Sequence, residues 1–277
     1  MIARRRTVTR WAERPRSDLA LIEIGSTGAA ARVVREMVDA HAGLYVHPDW
    51  RTTMPWLAQG TTGRADGSVD MSWFGETPVG ELQRRWREVR DATACATSIH
   101  AKQVHGAAVL WHEAYPPGAL IAFEADGHAT SVAGLLLTVS VADCVPVLMV
   151  DPALRVVAAL HAGWRGVAAG MLEAGIASLA SHAGCAAADL LVHFGPAICG
   201  DCYEVGPEVA VALGRGDPGA KVLLDVRGVL TDRAHAAGIA PDAITVSAWC
   251  TRCGDSPFFS HRAGDAERQM SVIGMGV

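Results

Sequence analysis

The most informative segment of this chain is Val156–Gly166, with the sequence VVAALHAGWRG. Its first five residues are apolar and predict a buried β-strand. A turn should follow, because Gly163 and Gly166 let the backbone bend sharply, and a helix is expected after it. His161 and Arg165 stand at this turn, and α/β proteins build many of their sites from polar residues at strand ends. The segment therefore predicts an α/β core with a functional site beside it.

The elements around this segment mix strands and helices. Apolar runs predict buried strands over 134–140, 145–150, 190–194 and 244–248, and helical spacing predicts helices over 81–92, 167–183, 207–213 and 226–237. A helix is also expected over 28–42, ended by Gly43, and a loop over 60–70. Because strands and helices mix throughout, the fold class is α/β or α+β.

Composition argues against several classes of protein. The chain has 277 residues, of which 50% are hydrophobic, and its net charge of −5 gives no electrostatic case for binding nucleic acid. The stretch closest to a membrane span, 132–150, is interrupted by Asp143 and Pro146. No apolar signal-peptide core follows the basic cluster at 4–16, and seven cysteines are an odd number. We therefore expect a cytoplasmic protein with reduced thiols and no membrane partner.

Three side chains are candidate metal ligands: His105, Cys144 and His161. One thiolate and two imidazoles suit zinc, and three protein ligands leave a fourth position for water or substrate, as in catalytic zinc sites. The three residues are far apart in sequence, so only the fold can bring them together. A buried thiol with two hydrogen-bonded histidines is the alternative. A nucleophile–base pair of Cys144 and His161, beside Asp143, is another.

Arg165 is a candidate anion ligand. The turn at 163–166 precedes a predicted helix, whose free N–H groups together with the guanidinium would bind phosphate or a carboxylate. The alternative is an arginine that forms a salt bridge at the surface.

Two CxxC pairs, Cys199–Cys202 and Cys250–Cys253, form the sharpest metal-ribbon pattern in the sequence. Zinc ribbons usually hold such pairs on knuckles of a small polar module. Here Pro196 and Tyr203 flank the first pair, and a predicted strand leads into the second. The sequence therefore favours partly buried thiols over a second, structural zinc ion.

Several local sequences together resemble one family. They are KQVHG (102–106), ADG (125–127), VADCVPVL (141–148), HAGWRG (161–166), GPAI (195–198), CYEVG (202–206), CT (250–251) and FFSHR (258–262). Over about 60–273, their order and their sequences are similar to the YfiH or laccase-domain family. Its members were long labelled multicopper polyphenol oxidases and are now described as purine nucleoside phosphorylases.

The resemblance implies a fold, a cofactor and a reaction. The fold is a single-domain α/β/β/α sandwich with mixed sheets, related to the deamidase domain of cytotoxic necrotizing factor toxins. The cofactor is one zinc ion bound by His105, Cys144 and His161. The reaction is phosphorolysis of adenosine, inosine, guanosine or methylthioadenosine, with hydrolytic deamination of adenosine as a further activity. The resemblance also accounts for Cys202, Cys250 and Cys253 without a ribbon.

The resemblance is weaker towards the N-terminus. We therefore divide the chain into an N-terminal extension with the first elements, 1–50, and a catalytic domain, 51–277. Within that domain, RADGS (64–68) and DMS (70–72) replace the Gly-Gly-x-Ser and Asn-Leu-Ser segments of the family. The family's Asn-Arg pair is not evident over 84–90, and His128 replaces an apolar residue. Most of these departures lie in the N-terminal part of the domain, here called the N-terminal lobe, where the resemblance implies contacts with the substrate.

The resemblance, together with the chemistry of the side chains, implies a role for each candidate site residue. The open position of the zinc ion would orient phosphate or water, and the catalytic residues would be Cys144, Asp143 and Arg165. Arg165 would hold phosphate, and Gln103 and Arg262 would contact the substrate. Asp143 and Gln103 would also position the ligands through hydrogen bonds. The expected partners are a purine nucleoside and phosphate, bound by a monomer or a homodimer.

Three other functions compete with this one. Multicopper oxidases need paired histidines, and none of the eleven histidines lies two residues from another, which argues against copper and a laccase activity. A cysteine hydrolase, or an enzyme that edits cell-wall precursors, would use Cys144 as nucleophile and His161 as base. The altered N-terminal lobe motivates the third, a binding module without catalysis.

Overall fold

Short strands paired into two sheets give the chain its architecture. The computed structural model describes residues 31–64 and 70–277. Its strands are β1 Arg32–Val34, β2 Met37–Asp39, β3 Leu44–Val46, β4 Leu57–Thr62, β5 Thr97–Lys102, β6 Val109–His112, β7 Gly118–Glu124, β8 Gly127–Thr130, β9 Leu135–Val141, β10 Val145–Asp151, β11 Val156–Ala162, β12 Leu191–Phe194, β13 Glu204–Val205, β14 Val222–Leu223, β15 Ile244–Ser247 and β16 Gln269–Met275. Its α-helices are α1 Pro48–Thr53, α2 Val79–Thr93, α3 Trp164–Ala168, α4 Met171–Ala183, α5 Pro207–Ala212 and α6 Val226–Ala236.

Two seven-stranded mixed sheets form the centre of the molecule. The strand order of the first is β1-β15-β12-β10-β11-β8-β6, and that of the second is β2-β3-β4-β16-β9-β5-β7. In the first sheet β10 is antiparallel to β11 and β12, whereas β12 is parallel to β15. In the second, β16 is antiparallel to β4 and β9, whereas β5 is parallel to β9 and β7. β13 and β14 form a separate two-stranded ribbon.

The two sheets pack face to face, and helices cover their outer faces. The core between the sheets contains Leu137 of β9, Leu148 of β10, Val157 of β11 and Ile273 of β16. Residues of α4 and α6 cover the first sheet, and α2 covers the second with the fully buried Trp86. This is the predicted α/β/β/α sandwich with mixed sheets, which the structure confirms.

The central strands are mostly apolar because both of their faces are buried. In β10, Val147 and Met149 contribute to the core beneath the helices, whereas Leu148 and Val150 contribute to the core between the sheets. Every residue of β10 and β11 is buried. A strand that is covered on both faces has apolar residues on both of them, and the resulting apolar runs are why the sequence predicted these strands.

The helix predicted over 28–42 is wrong for the residues that the structure describes. Residues 31–42 contain β1, which is parallel to β15, and β2, which is antiparallel to β3. Val33, Val34 and Val38 are β-branched, and pairing with a sheet edge outweighs their helical spacing. Residues 1–30, with the basic cluster, lie outside the described residues. Strands before residue 51 thus join both sheets, and the division of the chain at residue 50 stays a prediction.

Two other elements differ from the sequence-based expectation. The loop expected over 60–70 begins later, because β4 extends to Thr62, and 65–69 lie outside the described residues. The helix expected over 167–183 is two helices, α3 and α4, which are separated at Gly170 by a left-handed backbone with φ +87°. None of the helices in the described ranges has the length and apolar character that a membrane span requires.

Candidate metal centre

Three segments bring His105, Cys144 and His161 together. His161 lies near the end of β11, Cys144 lies in the turn between β9 and β10, and His105 lies in the loop after β5. The register that pairs Val145 with Ala162 puts Cys144 beside the end of β11. The potential ligand atoms of the three side chains lie within 4.8 Å of one another.

Asp126, which directly precedes β8, organises this group. Its carboxylate accepts a hydrogen bond from Nδ1 of His161 at 2.8 Å. It also accepts hydrogen bonds from the backbone N–H groups of Val104, His105 and Gly106 over 2.8 to 3.1 Å. Because an ionised carboxylate only accepts, Nδ1 of His161 carries a proton, which leaves Nε2 as the ring nitrogen that a metal could bind.

Close approach of the backbone explains the glycines of the turn. A Cβ atom on Gly163 would lie 2.9 Å from Sγ of Cys144 and 3.1 Å from Cδ2 of His105. A Cβ atom on Gly166 would lie 2.8 Å from the carbonyl oxygen of Gly106. The backbone of Gly163 is ordinary, with φ −72°, so glycine is required there for space and not for conformation.

Two residues of the site have a left-handed backbone that is costly without glycine. They are His105, with φ +60°, and Asp143, with φ +85°. The N–H group of His105 is held by Asp126. The Asp143 carboxylate accepts hydrogen bonds from the Thr251 hydroxyl at 2.6 Å and from the backbone N–H of Arg262 at 2.7 Å. Hydrogen bonds therefore hold both residues in these conformations, and both oxygens of Asp143 have partners.

The thiol and the imidazole shift each other's pKa. Burial by itself raises the pKa of the Cys144 thiol, but the charge of His161 and hydrogen bonds from His105 and His161 outweigh burial and lower that pKa. Burial lowers the pKa of His161, but Cys144 and Asp126 outweigh it and raise that pKa. The surroundings thus favour the Cys144 thiolate, the form that binds metals and attacks electrophiles.

Two clefts meet at the three candidate ligands. The larger has a volume of about 610 Å³ and the smaller about 300 Å³, and both are lined by His105, Cys144 and His261. His161 and Gln103 line the larger cleft, together with Asp70, Ser72, His100, Ser140 and Arg268. Trp164 and Arg165 line the smaller one, together with Asp143, Tyr203 and Arg262. A ligand at the three side chains would be accessible from either side.

The two predicted arginines lie on the smaller cleft. Arg165 is exposed, its guanidinium lies 4.5 Å from the centre of the Trp164 ring, and among the described residues no carboxylate pairs with it. Arg262 donates to the carbonyl oxygen of Glu204 at 2.8 Å and lies over the Tyr203 ring. The helix that directly follows the turn, α3, has only five residues, and the longer α4 begins after the break at Gly170. The groups that this cleft presents to an anion are therefore the guanidinium groups.

The side chain of Gln103 is bonded to the backbone of Ser140. Its side-chain amide donates to the carbonyl oxygen of Ser140 at 2.8 Å and accepts from the backbone N–H of Ser140 at 2.6 Å. These two bonds fasten the loop that carries His105 to β9. Gln103 thus lines the larger cleft with its amide already bonded to the backbone.

Sequence reasoning missed several residues at the site. Asp126 was recognised only as part of the ADG sequence, although a carboxylate that directly precedes a buried strand is itself a signal. Asp70 accepts hydrogen bonds from the N–H groups of Ser72 at 2.9 Å and Arg268 at 3.2 Å. Asp70 and Ser72 belong to the segment that departs from the family pattern. That departure therefore lies in the wall of the larger cleft.

Known proteins are similar to this chain in fold and in sequence. The family model described as "Multi-copper polyphenol oxidoreductase laccase" matches residues 75–276. The purine nucleoside phosphorylase PA4543 of Pseudomonas aeruginosa is 32% identical over 238 residues, which are 79% of this chain and 92% of that protein. Adenosine deaminase RL5, from an unknown prokaryotic organism, is 34% identical over 149 residues, which are 50% of this chain and 56% of that protein. The crystal structure of YlmD from Geobacillus stearothermophilus matches with a TM-score of 0.77 at 26% identity, covering 88% of this chain and 100% of that chain.

Proposed function

This chain belongs to the family described as multi-copper polyphenol oxidoreductase laccase, and on that premise we propose that it is a zinc-dependent purine nucleoside phosphorylase. The observation that carries the proposal is the group of His105, Cys144 and His161 where two clefts meet. The proposed substrates are phosphate and adenosine, inosine, guanosine or methylthioadenosine. We further infer that it acts in the cytoplasm as a monomer or homodimer.

The chemistry of the donors fits zinc. One thiolate and two imidazoles are ligands that zinc prefers, and Asp126 behind His161 provides the carboxylate–histidine arrangement common at zinc sites. When bound, zinc would supply positive charge that polarises an oxygen of phosphate or water. In the described ranges, the other potential metal group consists of four cysteines and contains no histidine. This supports zinc over the several histidine-bound coppers of a laccase.

The residues around the centre suit phosphorolysis. A phosphate oxygen would form a bond to C1′ of the ribose while the C1′–N bond to the purine breaks, and the purine leaves with a proton. Arg165, whose guanidinium has no carboxylate partner among the described residues, would hold phosphate in the smaller cleft. The larger cleft, about 610 Å³, has the size of a small-molecule site and would take the nucleoside. Asp143 and Gln103 would keep the ligand-bearing segments in place.

Phosphate-dependent release of hypoxanthine from inosine tests the proposal. Chromatography of the products should show hypoxanthine with phosphate and none without it. Cys144→Ala should abolish release and also remove the zinc ion bound at His105, Cys144 and His161. Cys185→Ala, which removes a buried thiol outside the group, should retain both. No phosphate-dependent cleavage of any of the four nucleosides by the zinc-loaded protein would refute the assignment.

Deamination of adenosine is the second candidate activity. It is favoured by the similarity to a protein named adenosine deaminase. Water would then take the place of phosphate, and the products would be inosine and ammonia, whereas phosphorolysis yields adenine and ribose 1-phosphate. Ammonia released from adenosine without phosphate would support deamination, and adenine formed only with phosphate would support phosphorolysis.

Cys144 and His161 would also serve a cysteine hydrolase, including one that edits cell-wall precursors. The surroundings that favour the Cys144 thiolate would equally activate a nucleophile. Iodoacetamide alkylation of Cys144, with and without a chelator, separates the roles. Protection by bound zinc supports the ligand role, whereas equal labelling in both conditions supports the nucleophile. Zinc occupancy without turnover of any nucleoside would instead support a binding module.

A further inference from the structure

Four cysteines outside the group described above also meet in space. Cys199 and Cys202 follow β12, and Cys250 and Cys253 follow β15. Because β12 and β15 are neighbouring parallel strands, both segments leave the sheet at the same edge. The four sulfur atoms lie within 4.8 Å of one another. The sequence favoured partly buried thiols over a metal site here, and the structure places the four thiols in one cluster.

Backbone N–H groups are directed at the sulfur of Cys250. The N–H groups of Cys199, Arg252 and Cys253 donate to Sγ of Cys250 over 3.3 to 3.5 Å. Three donors around one sulfur suit a thiolate, because a neutral thiol is a weak acceptor. The two bonds from Arg252 and Cys253 fold 250–253 into a compact knuckle, the local feature that a ribbon pattern requires.

The two segments are joined independently of their sulfur atoms. Ala197 and Cys250 form an isolated parallel bridge, and the N–H of Thr251 donates to the carbonyl oxygen of Ala197 at 3.1 Å. The guanidinium of Arg252 donates to the carbonyl oxygen of Cys202 at 3.1 Å. The backbone therefore brings both cysteine pairs together, which lowers the cost of assembling a metal site.

We propose that Cys199, Cys202, Cys250 and Cys253 bind one structural zinc ion as four thiolate ligands. Zinc–sulfur bonds of about 2.3 Å in a tetrahedron separate the sulfurs by about 3.8 Å. The sulfurs of Cys199 and Cys253 are 3.9 Å apart, whereas a disulfide requires about 2.05 Å. Four protein ligands close the coordination sphere, so this ion has no position for water or substrate and serves the structure.

The cysteine site supports a wall of the smaller cleft. Ile198 and Tyr203 line that cleft and directly flank the first cysteine pair in sequence. Thr251, within the second pair, donates its hydroxyl to Asp143, the neighbour of Cys144. Zinc at the four cysteines thus holds three residues that surround the candidate centre, without contacting that centre.

The zinc content of the full-length protein tests this inference. Protein produced in zinc-supplemented medium should contain about two zinc ions per chain by mass spectrometry of the metal. Cys199→Ser/Cys253→Ser should retain about one, and so should Cys144→Ser, since each removes a different ion. The Cys185→Ala control should keep about two. Because nucleoside turnover is not the readout, failure of the proposed function leaves this result interpretable.

Three outcomes would overturn the inference. The first is a zinc content of the parent protein that falls to zero in Cys144→Ser. The second is iron in place of zinc at the cysteines. The third is a Cys199–Cys253 disulfide, detected by mass spectrometry after alkylation without reductant.

A second measurement covers the case in which the double variant does not fold. In the Cys144→Ser protein, which keeps all four cysteines, cobalt should produce the near-ultraviolet sulfur-to-cobalt charge-transfer band of a thiolate site. Titration of its zinc form with an organomercurial should release one ion as four thiols react, measured with a metal-sensitive dye. A folded protein that shows neither signal contradicts the inference.

Discussion

Asp126 forms hydrogen bonds to two of the three candidate ligands, His105 and His161. It bonds His161 and three backbone N–H groups of the loop that carries His105. We expect Asp126→Asn to weaken zinc binding by about 10- to 100-fold, because an amide neither orients nor polarises the imidazole as a carboxylate does. Competition with a chelator of known affinity measures this effect. Asp189→Asn, an exposed change far from the group in sequence, should leave the affinity unchanged.

Gly163 tests whether space at the turn controls the centre. Gly163→Ala introduces a Cβ atom 2.9 Å from Sγ of Cys144, so we expect about tenfold weaker zinc binding or more, from displaced ligands. Gly80→Ala is the matched control, because a Cβ atom there meets nothing within 4 Å. It should keep zinc affinity and stabilise α2 slightly. Equal zinc affinities in the two variants would show that the ligands tolerate the added carbon.

The turn between β11 and α3 determines how Arg165 could bind an anion. The helix after the turn is too short to supply a strong dipole, so the proposed phosphate binding would depend on the guanidinium. We expect Arg165→Gln to raise KM for phosphate about tenfold or more, since hydrogen bonds to charged groups contribute about 1.5–3 kcal/mol. KM for the nucleoside should change little.

The control for this change lies on the exposed face of α2. Arg87→Gln removes the same charge away from both clefts and should leave both constants unchanged. If Arg165→Gln instead lowers kcat with no change in KM for phosphate, the anion-binding role is wrong.

For the whole molecule, buried histidines make stability depend on pH. Nε2 of His112 and Nδ1 of His128 are 2.9 Å apart in the core. Burial lowers the pKa of His112 to about 4 and that of His128 well below its ordinary value. The unfolded chain therefore binds more protons between about pH 6.5 and 4, so stability is full above this window and falls as the pH falls through it.

A variant at His112 tests this pH dependence. Between pH 7 and 5, His112→Gln should lose about 2 kcal/mol less unfolding free energy than the parent protein, because one titrating group is removed. Urea unfolding at both pH values measures the difference. Comparison with the parent cancels the contributions of titrating groups that do not contact His112, His161 included, whereas His128 responds together with His112. His41→Gln, at an exposed position, should behave as the parent does. Identical pH dependence in all three proteins would refute the role of His112.

Much of the fold was predictable from local sequence, because the central strands are buried on both faces. Their continuous apolar runs, such as those of β10 and β11, are too short for buried helices and therefore indicate strands. The edge strands β1 and β2 were not predictable, since each has three residues and forms only by pairing with β15 or β3. Short segments take their conformation from their partners, and that information is absent from the local sequence.

The sequence by itself determined which functional side chains are present: a thiol, two imidazoles and an arginine at strand ends, and two CxxC pairs. Only the tertiary structure decided which of these groups meet. The register of β10 against β11 puts Cys144 beside His161, and the parallel pairing of β12 with β15 brings both cysteine pairs to one edge. The tertiary structure also decided that Asp126 bonds to His161 and to the loop that carries His105. Residue types are a local property of the chain, whereas distances between residues far apart in sequence exist only once the strands have paired.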